Sequence, residues 1–341
     1  MLGSLGALIA SISFAKRIKQ FHTYTVTFTM VVGEIITILL FAFTKNLFLL
    51  ALFFIIHFIL TALLYVCLNV FIESFSKHAE TGSIRGLFLA LLNIGILISP
   101  LIGGTVLSHS SFEGLYVTAA IMLVPFLFFL HKYLEHVTEP AYHSINMLHA
   151  LKTAWRNKNL RAALIGELTV QCFYAVMIIY SPIYLTTLGI PLSVYLTIII
   201  PFALVPLVIL PYELGFLADS RFGEKELLII GFAILAITTF LCVVVTSTSP
   251  LVWIAILLTS RIGASCVETM AFTYYFKKVG PEDASLTALF TNTGNVATFV
   301  VGAVGFSIAP LLVERPQLMF IVLGCAILLN LSYVLPMRDT R

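Results

Sequence analysis

Residues 227–245 read LLIIGFAILAITTFLCVVV, a run with no charge from end to end. Wound as an α-helix at 1.5 Å per residue, such a run spans about 28 Å, close to the hydrocarbon thickness of a bilayer. It is apolar on every face, so it has no stripe facing a core and no face suited to water. Residues 47–56, LFLLALFFII, repeat the pattern. A transmembrane β-strand would instead alternate apolar and polar positions over about ten residues, and neither run does. The composition agrees: 60% of the 341 residues are apolar or aromatic and 10% are charged, against about 25% charged in soluble domains. The chain reads as an all-α membrane protein.

Working outward from this run, polar breaks separate eleven candidate spans, near 1–15, 23–43, 47–72, 84–108, 114–133, 162–187, 190–212, 227–247, 250–276, 284–313 and 316–337. The first run has the length of a signal-peptide core. No basic region precedes it and no small-residue cleavage site follows, so it counts as a span. Numbering the breaks alternately gathers Lys16, Arg17, Lys19, Lys77, Arg85, Lys132, Lys152, Arg156, Lys158, Arg161, Arg221, Lys225, Lys277, Lys278, Arg338 and Arg341 on one side, with Lys45 and Arg315 opposite. By the positive-inside rule the crowded side is cytoplasmic, and so is the C-terminus. One missed span would scramble this alternation. The long break divides the chain into a half at 1–133, a linker at 134–161 and a half at 162–341. In the linker Ile145, Leu148, Leu151 and Trp155 recur at helical spacing, which fits an amphipathic helix at the cytoplasmic interface or, alternatively, a plain tether. The five cysteines all fall in apolar runs without paired spacing, as small core residues rather than ligands.

Between the spans ending near 212 and beginning near 227 lies Gly215-Phe-Leu-Ala-Asp219-Ser-Arg221-Phe-Gly223-Glu-Lys225. This resembles the signature loop of the major facilitator superfamily: a glycine, three residues, an acid, a base, one residue, a glycine and then bases. Here Ser220 separates acid from base, and Glu224 stands where a base is commoner. In chemical terms Gly215 and Gly223 permit close packing and a tight turn, while Asp219 can pair with a base or a helix N-terminus, a lock for one conformation. A second run, Gly86, Gly95, Ser99-Pro100 and Gly103-Gly104, resembles the fifth-helix motif of the family's antiporter branch, with Ser99 replacing one glycine. Small residues bring helices close and proline bends them, which would seal the halves against ion leak.

The resemblance implies a major-facilitator-like bundle in two pseudo-symmetric halves. Six spans follow the linker with the signature loop in its expected place, and five precede it. On this plan the first half lacks its opening helix, and the equivalent loop, residues 11–22, keeps Lys16, Arg17 and Lys19 without the glycine-and-acid pattern.

A charge at mid-membrane costs about 3 kcal/mol or more, so each needs a partner or a cavity. Arg261 and Glu268 share one face of the span 250–276, about 10 Å apart along the axis, and the resemblance makes that helix cavity-lining. An acid on a neighbouring helix is expected to neutralise Arg261. Glu167 and Gln171 lie one turn apart in the span 162–187. Glu167 is a candidate proton carrier, or alternatively a structural acid paired with Arg161. Asn292 and Asn295 form an i, i+3 pair near a cavity, and Glu34 and His57 are read as a structural couple, with a substrate or proton role for Glu34 as the alternative.

Neither a paired-histidine motif, a G-x-S-x-G elbow nor a suitably spaced acid pair is found in the sequence. The expectation is a secondary transporter of a small organic solute, with protons as a candidate partner and the bilayer as solvent. It needs no cofactor, metal, catalytic residue or nucleic acid, and is placed as a monomer in the plasma (inner) membrane. The alternatives are an inactive or partner-dependent fragment, and a membrane-embedded enzyme.

Overall fold

The computed structural model describes residues 3, 5–7, 9–10, 22–75, 81–135, 147–220, 223–279 and 284–337. Hydrocarbon offers no partner to peptide groups, so the chain satisfies them within helices. These are α1 (Thr23–Phe43), α2 (Leu47–Phe75), α3 (Thr81–His109), α4 (Phe112–Leu134), α5 (Met147–Arg156), α6 (Lys158–Thr187), α7 (Ile200–Ser220), α8 (Glu224–Val244), α9 (Pro250–Lys278), α10 (Ala284–Thr291), α11 (Thr293–Ser307), α12 (Ala309–Glu314) and α13 (Leu318–Val334). Among the described residues eight helices are long and apolar enough to cross a membrane, or nine if the bent pair α10–α11 forms one span. The apolar α13 adds 17 residues to this inventory.

The helices group into two compact units, residues 1–92 with 105–145, and residues 93–104 with 146–341. In the first, α1 packs on α2 and α4. Its buried stripe, Thr23, Thr27, Val31, Glu34, Thr37 and Ala42, follows the helical period. Threonines fit there because their hydroxyls turn back onto the preceding turn: Thr27 donates to the Thr23 carbonyl and Thr37 to that of Gly33, each at 2.7 Å. Phe41 meets Tyr116 of α4 edge-on at 4.7 Å. The described helical residues near the N-terminus lie against α2, where Gly3 and Gly6 face Phe58 and Ile59.

In the second unit α6 packs on α9, α11 and α13, and α8 lies between α9 and α13. The crossing of α8 and α9 brings the two backbones close together. A methyl group on Gly231 would meet the Gly263 carbonyl at 2.9 Å, and one on Gly263 would meet Ile234 at 2.9 Å. Such glycine-to-backbone contact is what van der Waals packing in lipid favours. Aromatic rings fill the rest: Tyr184 stands edge-on to both Trp253 and Phe320 at 5.8 Å. Gly189, at φ +91°, ends α6, and the Ile190 amide reaches back to the Leu185 carbonyl at 3.0 Å. Only glycine adopts this left-handed stop without cost. The chain then re-enters through a π-helical turn, Tyr195–Ile199, before α7.

Two glycines expected to serve close packing meet no neighbour among the described residues. A Cβ on Gly215 or on Gly95 would find no atom within 4 Å, because Gly95 lies on an exposed face of α3 and no described atom approaches Gly215. Gly104 does pack closely, with Thr197 Cγ2 only 2.6 Å from where its Cβ would be. Asn93 Nδ2 adds a hydrogen bond to the Leu207 carbonyl at 3.2 Å. Gly263→Leu is therefore expected to destabilise the protein by about 1–3 kcal/mol. Gly215→Ala should be neutral or stabilising by up to about 1 kcal/mol. Denaturation in detergent measures both, and equal losses would contradict the assignment of close contact.

Candidate functional site

The polar residues of the second unit converge on the line where α6 and α9 cross. The two run antiparallel: Gly166 lies against Ala271, with 3.4 Å to the Ala271 Cβ from an added methyl, while seven residues further along α6 Phe173 lies under Arg261. Glu167 and Glu268 consequently stand at one level and Arg261 about 10 Å along the axis. Gly166, which has no side chain to hold Ala271 away, lets α6 and α9 approach at the level of the two acids.

Glu167 is 6% exposed. Its Oε1 accepts from Gln171 Nε2 at 2.8 Å, as their i, i+4 spacing allows, while its Oε2 is buried without a hydrogen-bond partner. Glu268 is half-buried and accepts a hydrogen bond from the Tyr174 hydroxyl at 2.7 Å. The two carboxylates are close enough to interact electrostatically, and Tyr174 lies within electrostatic reach of both and of Arg261. Gln171 in turn faces α11, where a Cβ on Gly294 would lie 3.5 Å from its Oε1. Asn295 Nδ2 bonds Asn292 Oδ1 at 3.3 Å, and Asn292 Nδ2 caps the Ala288 carbonyl at 2.9 Å. This pair sits at the 42° bend between α10 and α11. Irregular backbone is tolerated at membrane depth where protein or a water-filled cavity meets it.

Arg261 departs from expectation. It is 3% exposed, yet among the described residues no carboxylate pairs with it. Its guanidinium lies over the Phe173 ring at 4.9 Å and donates to Ser260 Oγ at 3.1 Å, and its Nε has no hydrogen-bond partner. The acids of α6 and α9 stand at the other level, so an aromatic face takes the place of an ion pair. Arg161 does not reach Glu167 either. It packs on the Trp155 and Tyr333 rings.

The signature loop is described in part. Gly215 ends up on α7, and Gly223 is the N-cap of α8 in extended conformation, φ −85°, so no left-handed turn depends on it. The side chain of Asp219 and all of Arg221 lie outside the described residues, as do the surroundings of Gly86. Lys225 opens α8 half-buried, Ser99 is exposed, and Pro100 and Gly103 are half-buried within α3. Sequence reasoning passed over the pair that structures this end: Lys277 Nζ at the end of α9 meets Glu224 Oε1 at 2.6 Å, with Glu224 almost fully buried. The signal was Glu224 itself, an acid where the family pattern carries a base. In the first unit Glu34 and His57 are in direct contact, with Thr61 beside them at 3.5 Å. Among the described residues no group of three His, Cys, Asp or Glu side chains is placed to hold a metal.

A family model described as Major Facilitator Superfamily matches residues 1–303. This chain belongs to the major facilitator superfamily. No curated protein matches it. As a major facilitator it is an integral membrane transporter, all-helical and multi-pass, of a family that binds small-molecule substrates and performs no enzymatic reaction.

If the Phe173 ring carries the Arg261 charge, the two residues are energetically coupled. A double-mutant cycle with Phe173→Leu and Arg261→Met, read by denaturation in detergent, should give a coupling of about 1–2 kcal/mol. Strict additivity would show that the ring only fills space.

Proposed function

We propose that this membrane transporter moves a small organic solute by alternating access, in exchange for protons, with the α6–α9 crossing as its coupling site. The reading rests on one observation: Glu167 and Arg261, opposite charges buried in the same unit, each keep an atom without a hydrogen-bond partner. A buried charge left open in this way is costly unless water, a proton or a ligand completes it. In this scheme Glu167 carries the proton and Glu268, held by Tyr174, tunes it through their repulsion. Arg261 receives an electronegative group of the solute, and Gln171, Asn292 and Asn295 line its path. Proton release on one side and rebinding on the other would switch the site between loaded and empty states.

The antiporter-like run of α3 supports export as the direction. Pro100 lies within the helix and Gly104 is in close contact with Thr197, as a leak-tight seam requires. The Glu224–Lys277 pair, whose acid is buried, would act, together with the signature residues Gly215, Asp219, Arg221, Gly223 and Lys225, as a latch that parts in one conformation. The proposal includes the arrangement of eleven spans as five and six, a cytoplasmic C-terminus and residence in the plasma (inner) membrane.

Proton movement in proteoliposomes with an internal pH dye and a solute panel tests this. Solute-evoked proton flux is expected for the wild type, abolished in Glu167→Gln, which preserves the bond from Gln171, and solute flux is expected to collapse in Arg261→Ala. Undiminished proton flux in Glu167→Gln would remove it from the mechanism.

A further inference from the structure

The ten-residue helix α5 is not accounted for by transport chemistry. Its buried face is small, Ala150 and Ala154, and it packs on α6 and α10. Its other face is large and open: Leu148 is 74% exposed and Trp155 52%, with Leu151 between them, at i, i+3 and i+7. Leu151 and Trp155, with Lys152 and Arg156, line an apolar groove of about 480 Å³, and Leu148 extends the same apolar face one turn earlier. Asn157 ends α5 and caps α6 through its side-chain oxygen, which accepts from the Asn159 and Leu160 amides. A membrane-crossing helix thus begins two residues after α5 stops, which sets α5 at the depth where headgroups meet acyl chains.

The charges around this groove have one sign. Residues 140–166 contain no Asp or Glu but hold Lys152, Arg156, Lys158 and Arg161. Among the described residues neither Lys152 nor Arg156 is in an ion pair, and both are exposed. Arg161 and Trp155 stack at 5.7 Å, which fixes the ring at the groove's edge. An apolar slot flanked by unpaired cations at the membrane surface matches one kind of occupant: acyl chains in the slot and a phosphate on the cations. We propose that α5 is a binding site for an anionic phospholipid, with Leu148, Leu151 and Trp155 against its chains and Lys152 and Arg156 on its headgroup phosphate. Four basic residues on and beside an amphipathic helix suffice for such recognition. Lipid charge would then bear on α10, which α5 touches, and through it on the α10–α11 bend.

Trp155 is a natural reporter, because the chain's other tryptophan, Trp253, is fully buried. The full chain is reconstituted in phosphatidylcholine bilayers containing either brominated phosphatidylglycerol or the same mole fraction of brominated phosphatidylcholine. The Trp155 signal is taken as the difference between wild type and Trp155→Phe. The proposal expects markedly stronger quenching by the brominated phosphatidylglycerol. That preference should fall by about fivefold for each charge removed in Lys152→Gln and Arg156→Gln, while added salt weakens it. Equal quenching by both lipids would mean that α5 merely lies in the membrane, and absence of quenching by either would mean that protein covers its apolar face. Either result, or a preference unchanged in the double variant, overturns the proposal.

Discussion

Hydrocarbon supplies no hydrogen-bond partner and solvates no charge, and both the helices and the placement of the polar residues of this protein follow from that constraint. The peptide groups meet it by local helical bonding, which is why apolar runs with little intrinsic helix preference, rich in Ile, Val, Phe and Thr, are helical. The hydroxyls meet it by bonding to the carbonyl one turn back, as Thr27, Thr37, Thr169 and Thr238 do. Charged groups have no such local solution. Glu224 has Lys277, Glu34 has His57 and Glu268 has Tyr174, while Glu167 and Arg261, on the two helices of one crossing, each keep a buried atom with no hydrogen-bond partner among the described residues.

Much of this was readable from residue order alone, because hydrophobic length is a strong signal in lipid. The runs at 23–43, 47–72 and 250–276 predict α1, α2 and α9 almost to the residue, and the spacing of Leu148, Leu151 and Trp155 anticipates α5. The contact of Glu34 with His57 was legible since each had few other partners within reach. Breaks inside helices were not. The π-helical turn at Tyr195–Ile199 and the bend at Asn292 depend on how neighbouring helices re-satisfy freed backbone groups, a three-dimensional matter. The partner of Arg261 was misjudged for a related reason. An acid was sought, but the register of α6 against α9 brings the Phe173 face to it instead. Gly95 and Gly215 show the limit of motif reading: a glycine marks where close approach is possible, and only the neighbouring helix decides whether it occurs.

The second unit combines a stiff part with a yielding one. Gly231 and Gly263 lock α8 to α9 backbone to backbone, and the Tyr184, Trp253 and Phe320 rings fill one end of the bundle. Against this stand the proline-bearing α7 with its π-helical lead-in and the α10–α11 bend, where backbone bonding is interrupted beside Gln171. A transporter needs this division, since packed interfaces shift between discrete arrangements while hinges absorb the change in dihedral angles. The polar site lies where the two parts meet, so that its occupancy can bias the hinge.

The central claim is that the α6–α9 crossing opens to a water-filled solute path. Thiol accessibility tests it most directly. In a chain whose five native cysteines are replaced, a single cysteine is placed at Glu268 and its reaction with a charged, membrane-impermeant reagent is followed in sealed vesicles. Cys242, buried at 1%, restored alone, serves as the control. The account predicts rapid modification at position 268, protection by a transported solute, and an unreactive Cys242. Equal protection of both positions from either side of the membrane would mean that these charges are sealed in a structural core, and would contradict it.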